Sequence, residues 1–332
     1  MPDSNNPPLS RGPPWASALK ITVLALVAAA VVVYKLDPFD PAALPAEELS
    51  GEPAAVAACN GRVLQGAERI GVGELAAAED LSYHSELGLV YTGDGDGWLK
   101  RVRLNDSTVE KWAFTGGRPL GVALGPDGDV FIADADKGLL KASKEGVVEA
   151  LTEEADGVKF RLTDGVDVAE DGTVYFTDAS SKYRRRCRKY YISGDRKGSV
   201  ERFVENLPGT PDNIRYDGHG HYWIGLSTEM TGSSSSWHIA LKYPMLRKIM
   251  AIMEKYGRRP NLEKNGGVVA VNLQGEQVAW YYDYKWSLVT AGIKIGNHLY
   301  SGSLALPGIL RLDLDKFPAT ATGCPWSKSH DL

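Results

Sequence analysis

Histidine is the side chain whose ordinary titration suits proton transfer near neutral pH, and this chain of 332 residues contains six. His84, His219, His221, His238 and His298 fall in turns or at strand ends, where each reads as an ordinary loop residue rather than a general base. Serine hydrolysis through a nucleophile elbow would need Gly-x-Ser-x-Gly, which the sequence lacks. Asp134 and Asp178 follow equivalent strands in neighbouring copies of a repeat, and that recurrence points to a structural turn or cap rather than a catalytic dyad. The three Cys are too few for a disulfide-dense scaffold or a zinc cluster, and at least one stays unpaired. A formal net charge of -5, from 37 Lys and Arg against 42 Asp and Glu, lacks the basic footprint with which nucleic-acid binders neutralise phosphate.

The elements that would hold such groups are read from a repeat. An apolar alternating strand, a turn containing Gly or Asp, and a second strand with an aromatic near its middle recur at Leu81 to Gly93, Gly121 to Asp134, Gly165 to Asp178, Asn213 to Leu226 and Gly292 to Leu304. Aligning Tyr91, Phe131, Tyr175, Trp223 and Tyr300 gives separations of 40, 44, 48 and 77. Alternation around such turns denotes β-hairpins. Periods near 40 to 50 residues denote an all-β propeller, whose blades bury their faces against one another. Trp98, Trp112, Trp223, Trp280 and Trp286 are expected in the wedges between blades. The long last interval holds an insertion, residues 237–259, with Leu246, Ile249, Met250 and Met253 at helical spacing. Its apolar stripe, flanked by Arg247, Lys248, Lys255, Arg258 and Arg259, could cover a pocket mouth, touch lipid or pack on the side of the propeller.

Ahead of the repeats, residues 1–14 read as a disordered tail, residues 15–36 as a signal anchor and residues 37–58 as a Pro- and Ala-containing stalk. The propeller is expected over residues 59–320, with a C-terminal tail at 321–332. Arg11 and Lys20 precede the apolar run and Asp37 and Asp40 follow it, so the positive-inside rule puts the tail in the cytosol and the propeller in a lumen. The alternative is a signal peptide cut near Ala28 and Ala30 and a secreted product. In a lumen the sequon at Asn105 would be a glycosylation acceptor.

Four stretches carry a family resemblance: Gly117-Arg118-Pro119-Leu120-Gly121, Leu162 to Ser180, Arg186 to Ile192, and Leu207 to Leu226 with its Pro-Gly-x-Pro-Asp-Asn-Ile-Arg motif. Over residues 60–318 the chain resembles the plant strictosidine synthase-like family, which is related to adipocyte plasma-membrane-associated protein and, more distantly, to the paraoxonase and gluconolactonase propellers. The resemblance implies a six-bladed propeller in the endomembrane system, endoplasmic reticulum or vacuole, with an N-terminal anchor. One departure stands out: Ser180 reaches Arg186 in six residues, where the family has most of a blade. That leaves five blades or an incomplete six, through a genuine deletion, an abnormal splice form or an inaccurate gene model. Arg184 to Arg186 would then be a crowded junction or a plain solvated loop.

The same resemblance implies an axial divalent cation, usually Ca²⁺, held by oxygen ligands. Glu79 matches one ligand and Asp212 with Asn213 match others, unless the Asp-Asn pair simply caps its own turn. Thr163 occupies the place of a further Asn ligand, and Leu120 the place where lactonase relatives often carry His. A strictosidine synthase would carry a catalytic Glu near the last blade, and Lys285 to Ile295 contains neither Glu nor Asp. The resemblance therefore implies an ester or lactone hydrolase by ancestry, of weak or lost activity, acting on a small apolar metabolite; a noncatalytic ligand- or protein-binding scaffold is the alternative, and alkaloid-forming condensation comes last. Cys59 and Cys324 flank the ring and could be bridged if the termini meet, leaving Cys187 free.

Overall fold

The apolar run near the N-terminus forms one continuous helix, α1 (Pro14–Leu36), because nothing inside it breaks the backbone pattern and its window Leu19–Leu36 is apolar enough to cross a bilayer. The computed structural model describes residues 14–39, 41, 54–155, 158–160, 162–168, 174–178, 187–190, 200–229, 239, 242–257 and 264–324. These belong to two units, one comprising Met1–Leu44 with His238–Asn261 and the other Pro45–Trp237 with Leu262–Leu332. Arg184 to Arg186, His238, Arg258 and Arg259 lie outside the described residues.

The larger unit is an all-β propeller. Its first strands are β1 (Cys59–Asn60) and β2 (Glu68–Ile70), with one helical turn at Val63–Gly66 between them. A four-stranded antiparallel sheet follows: β3 (Ser82–His84), β4 (Leu89–Gly93), β5 (Trp98–Arg103) and β6 (Val109–Phe114). The next has the same order: β7 (Pro119–Leu124), β8 (Val130–Asp134), β9 (Gly138–Ala142) and β10 (Val148–Thr152). Three separate hairpins come after it, β11 (Glu154–Ala155) with β12 (Val158–Lys159), β13 (Thr163–Val168) with β14 (Val174–Asp178), and β15 (Cys187–Tyr190) with β16 (Val200–Val204). Then come β17 (Gly209–Tyr216), β18 (His221–Glu229), β19 (Gly267–Asn272) and β20 (Gln277–Tyr282), with β1 added parallel to β20 as a fifth strand. The last sheet joins β21 (Val289–Ile295), β22 (His298–Ser303) and β23 (Ile309–Asp313) to β2. All five sequence repeats become hairpins, but the described residues contain four sheets of four or five strands, not five complete ones. The third repeat is the exception: β13–β14 and β15–β16 are separate two-stranded sheets, on either side of the junction that is short in the sequence.

Neighbouring sheets meet along their inner strands, which pack β4 on β7, β7 on β13, and β18 on β21. Glycine permits the closest approaches. A Cβ on Gly93 would lie 2.3 Å from the Pro119 carbonyl oxygen, and one on Gly302 would lie 2.4 Å from that of Glu79, so any side chain there would force the sheets apart. The core lies in these seams: Leu81, just before β3, with Val90 and Val102 of the same sheet, packs with Ala291, Ile293 and Ile309 of the last. Trp223, Trp280 and Trp286 are buried in such clusters. Trp112 is half-buried beneath Arg101 and packs against the cluster between the first two four-stranded sheets, whereas Trp98, half-buried beneath Lys111, packs on Phe114 of its own sheet, which corrects the expectation of a wedge position for that one tryptophan. The Cys59–Cys324 disulfide forms, with a Cα separation of 4.8 Å, as a bridge between the chain ends requires.

The smaller unit pairs α1 with α2 (Pro244–Tyr256), which forms within the expected 237–259 insertion. Pro244 starts it, the position at which a missing backbone N–H costs nothing.

Candidate metal centre

The site is built by the first residues of the inner strands. In β7, β13, β17 and β21 the pairing register slips near the strand start, between Pro119 and Gly121, Thr163 and Val166, Pro211 and Ile214, and Val289 and Ala291. Such bulges re-aim side chains out of the regular alternation. Asp164 and Asp212 sit within two of these slips, and Glu79 lies just before β3. Ligand oxygens of Glu79, Asp164 and Asp212 all lie within 4.8 Å of one another.

Glu79 forms the buried floor, 2% exposed. Asn213 Nδ2 donates to Glu79 Oε1 at 2.9 Å, whereas Oε2 is buried without a hydrogen-bond partner among the described residues. The Glu79 carbonyl accepts from Thr290 Oγ1 at 2.6 Å, and the Ala78 carbonyl accepts from the Ser303 N–H at 2.9 Å, so the last sheet holds this segment in place. Asp164 and Asp212 border a pocket of about 260 Å³ between the third and fourth repeats, lined also by Val166, Phe176, Asn213 and Ile214. Asp212 lines this pocket and is exposed to solvent.

Without a cation the cluster is electrostatically expensive. Burial, then the charges of Asp212, Asp80 and Asp164, push the Glu79 carboxyl well above its ordinary value, with the Asn213 hydrogen bond opposing them. Burial and the charges of Asp164 and Asp80 do the same to Asp212, and burial with Asp80 raises Asp164. Asp80 is also raised by burial, but it has a partner: it forms an ion pair with Arg215, and its Oδ2 accepts from the Val122 N–H at 3.0 Å. Arg215 in turn donates to the carbonyls of Val122 at 2.9 Å and Leu81 at 3.2 Å. Two adjacent cross-links, Glu79 to Asn213 and Asp80 to Arg215, therefore tie the start of the first repeat to β17.

Of the three residues expected from the sequence, Glu79, Asp212 and Asn213 all meet here. Asp164 was missed. The signal was available: Asp80, Asp164 and Asp212 each stand eleven residues before the aligned aromatics Tyr91, Tyr175 and Trp223. Thr163 is buried with its hydroxyl unpaired beside Asp164. Asp134 is a cap, as its recurrence suggested, accepting from the N–H groups of Arg118, Asp136 and Lys137 at 3.0, 3.0 and 3.1 Å. His84, His219, His221 and His298 sit in turns or at strand ends, and none of them lines the carboxylate pocket.

The donor set fits a hard divalent cation. Three carboxylates and an amide converge, and among the described residues one buried carboxylate oxygen has no hydrogen-bond partner and no cation pairs with Glu79, Asp164 or Asp212.

No family model matches the chain. Curated relatives do. Strictosidine synthase-like protein 4 of Arabidopsis thaliana is 45% identical over 351 aligned positions, covering 87% of this chain and 93% of the relative. That alignment is longer than the 332-residue chain, so the relative carries stretches without a counterpart here. Adipocyte plasma membrane-associated protein of Bos taurus is 28% identical, covering 76% and 79%. Among solved structures, a putative gluconolactonase superposes with a TM-score of 0.50 at 12% identity, covering 82% of this chain and 96% of that one, which supports the fold.

Proposed function

Since the chain belongs to the strictosidine synthase-like family, we propose that it is a calcium-dependent hydrolase of a small, largely apolar ester or lactone, tethered to an endomembrane with the propeller in the lumen. The observation that carries this reading is the convergence of Glu79, Asp164 and Asp212 within 4.8 Å, with Glu79 Oε2 buried and unpartnered. These carboxylates and the Asn213 amide would hold the cation, which when bound supplies electrophilic polarisation of a carbonyl. Phe176, Val166 and Ile214 give the pocket an apolar wall against which an acyl or lactone ring would be oriented. Arg215 does not serve as an anion-binding group, because its guanidinium is engaged by Asp80 and by backbone carbonyls. The Cys59–Cys324 bridge agrees with an oxidising lumen, and Asn105 lies exposed in the β5–β6 turn where a glycan could be attached. The ring is best counted as five modules lacking most of one family blade at 180–186.

A second reading has one specific support. No His, Ser or Cys is among the described residues lining the pocket, which suits a site that binds its ligand without turning it over. Condensation of an amine with an aldehyde has less support, because the segment that would carry its glutamate has no acidic residue. The decisive assay is turnover of aryl esters and simple lactones by the full chain with calcium or with a chelator. Hydrolysis that requires calcium and is lost in Asp212→Asn supports the hydrolase. Ligand binding without turnover supports the second reading, and turnover indifferent to both chelation and Asp212→Asn refutes the axial mechanism.

A further inference from the structure

The α1–α2 unit carries an apolar face for which the carboxylate site has no use. Met245, Ile249, Ile252, Met253 and Tyr256 recur along one side of α2, and with Val27, Ala30, Val31, Val33 and Tyr34 of α1 they line a groove of about 670 Å³. Large apolar side chains on that side stay open, with Met245 57% and Tyr256 67% exposed. The contact between the helices is closed by cations at the end of α1. Lys248 is buried, donates to the Asp37 carbonyl at 3.0 Å and lies 4.9 Å from the centroid of the Tyr34 ring. Lys255 pairs with the Asp37 carboxylate at 3.4 Å. Positive charge here complements the C-terminal end of the α1 dipole, so α2 is held across that end.

The depth of the groove identifies its occupant. Its α1 wall, Val27 to Tyr34, lies inside the window Leu19–Leu36 that is long and apolar enough to span a bilayer. Whatever solvates that window also solvates the groove, while the two lysines reach Asp37, just beyond the span, where side chains snorkel to headgroup level. We propose that α2 is a second membrane element: an interfacial helix whose apolar face, together with α1, takes up acyl chains of the leaflet that holds the C-terminal end of α1. This rests on the anchor reading of α1, and the test separates the two.

The full-length protein, with Cys187→Ser so that an introduced thiol is the only reactive one, is placed singly in phosphatidylcholine nanodiscs. Nitroxide labels are attached at Val27→Cys, Met253→Cys and, as an independent second position on α2, Ile249→Cys. Collision with oxygen and with a water-soluble nickel chelate is read by electron paramagnetic resonance. Labels at 27, 249 and 253 should all favour oxygen, with the α2 positions about 5–10 Å below the headgroups. Nickel access at 249 and 253 with oxygen preference at 27 overturns the proposal and leaves the anchor intact. Nickel access at all three overturns the anchor as well. Shielding of 249 and 253 from both reagents means that protein covers the face, and it overturns the proposal too.

Discussion

Glu79→Gln tests the metal centre without relying on a substrate. The change keeps the shape and an oxygen able to accept from Asn213, now at 2.9 Å, but removes the most buried of the three charges. In the cation-free protein Glu79, Asp164 and Asp212 all have raised carboxyl pKa values. Between the ordinary carboxylate range and those raised values, the folded state binds more protons than the unfolded state, so stability falls as pH rises through the window. Calcium should reverse that loss and compete with the protons. At free calcium about 100-fold above its dissociation constant the gain is about 2.7 kcal/mol, which for a domain of this size is roughly 5–10 °C in the unfolding midpoint. The assay is thermal unfolding with chelator and with calcium, from about pH 5 to about pH 8. Wild type should show a midpoint that declines with pH in chelator and a calcium increment that grows with pH. Glu79→Gln should flatten the decline and lose most of the increment. A full increment in the variant, or a wild type with neither slope nor increment, would refute the reasoning.

Arg215→Met leaves Asp80 buried without its cation, which should lower stability by about 3–5 kcal/mol; adding Asp80→Asn should recover much of that, read from urea denaturation midpoints. For orientation, Asn105→Gln should abolish a glycosidase-sensitive mass shift in protein expressed in a plant secretory system, whereas an unglycosylated wild type would argue against lumenal exposure of the β5–β6 turn.

Local pattern carried much of the architecture. Alternation and turn residues located all five hairpins, the apolar run gave α1 to within a residue of its start, and helical spacing placed α2 inside the insertion. What stayed hidden depends on residues distant in the chain. Pairing of β2 with β23 and the parallel addition of β1 to β20 follow from closure, which no local pattern encodes; the Cys59–Cys324 bridge was legible only as a possibility conditional on that closure. The packing of α2 against α1 was hidden for the same reason, because an apolar stripe reports a buried face without naming its partner. At the site, motif matching singled out Glu79, Asp212 and Asn213, which the fold brings together, but passed over Asp164. There the resemblance pointed to Thr163 in the place of an Asn, and only the repeat register reveals the adjacent carboxylate.

The short junction near Ser180 makes the survival of the cluster a question of mechanics. In a ring held together only around its perimeter, loss of a blade would move every inner strand and scatter the carboxylates. Here the carboxylates are also fixed across the hub. The Glu79 segment is clamped by Thr290 and Ser303 of the last sheet, Asp164 packs against Gly121 of the second, and the paired cross-links to Asn213 and Arg215 join the first repeat directly to the fourth. Each of these contacts bypasses the junction. The pocket is lined by residues of the third and fourth repeats, the pair that flanks the short junction, so shortening the chain there would alter access to the carboxylates more than their arrangement. If the proposed cation binds here, a relative with a longer chain at this junction should share its carboxylate cluster and differ in which molecules reach it.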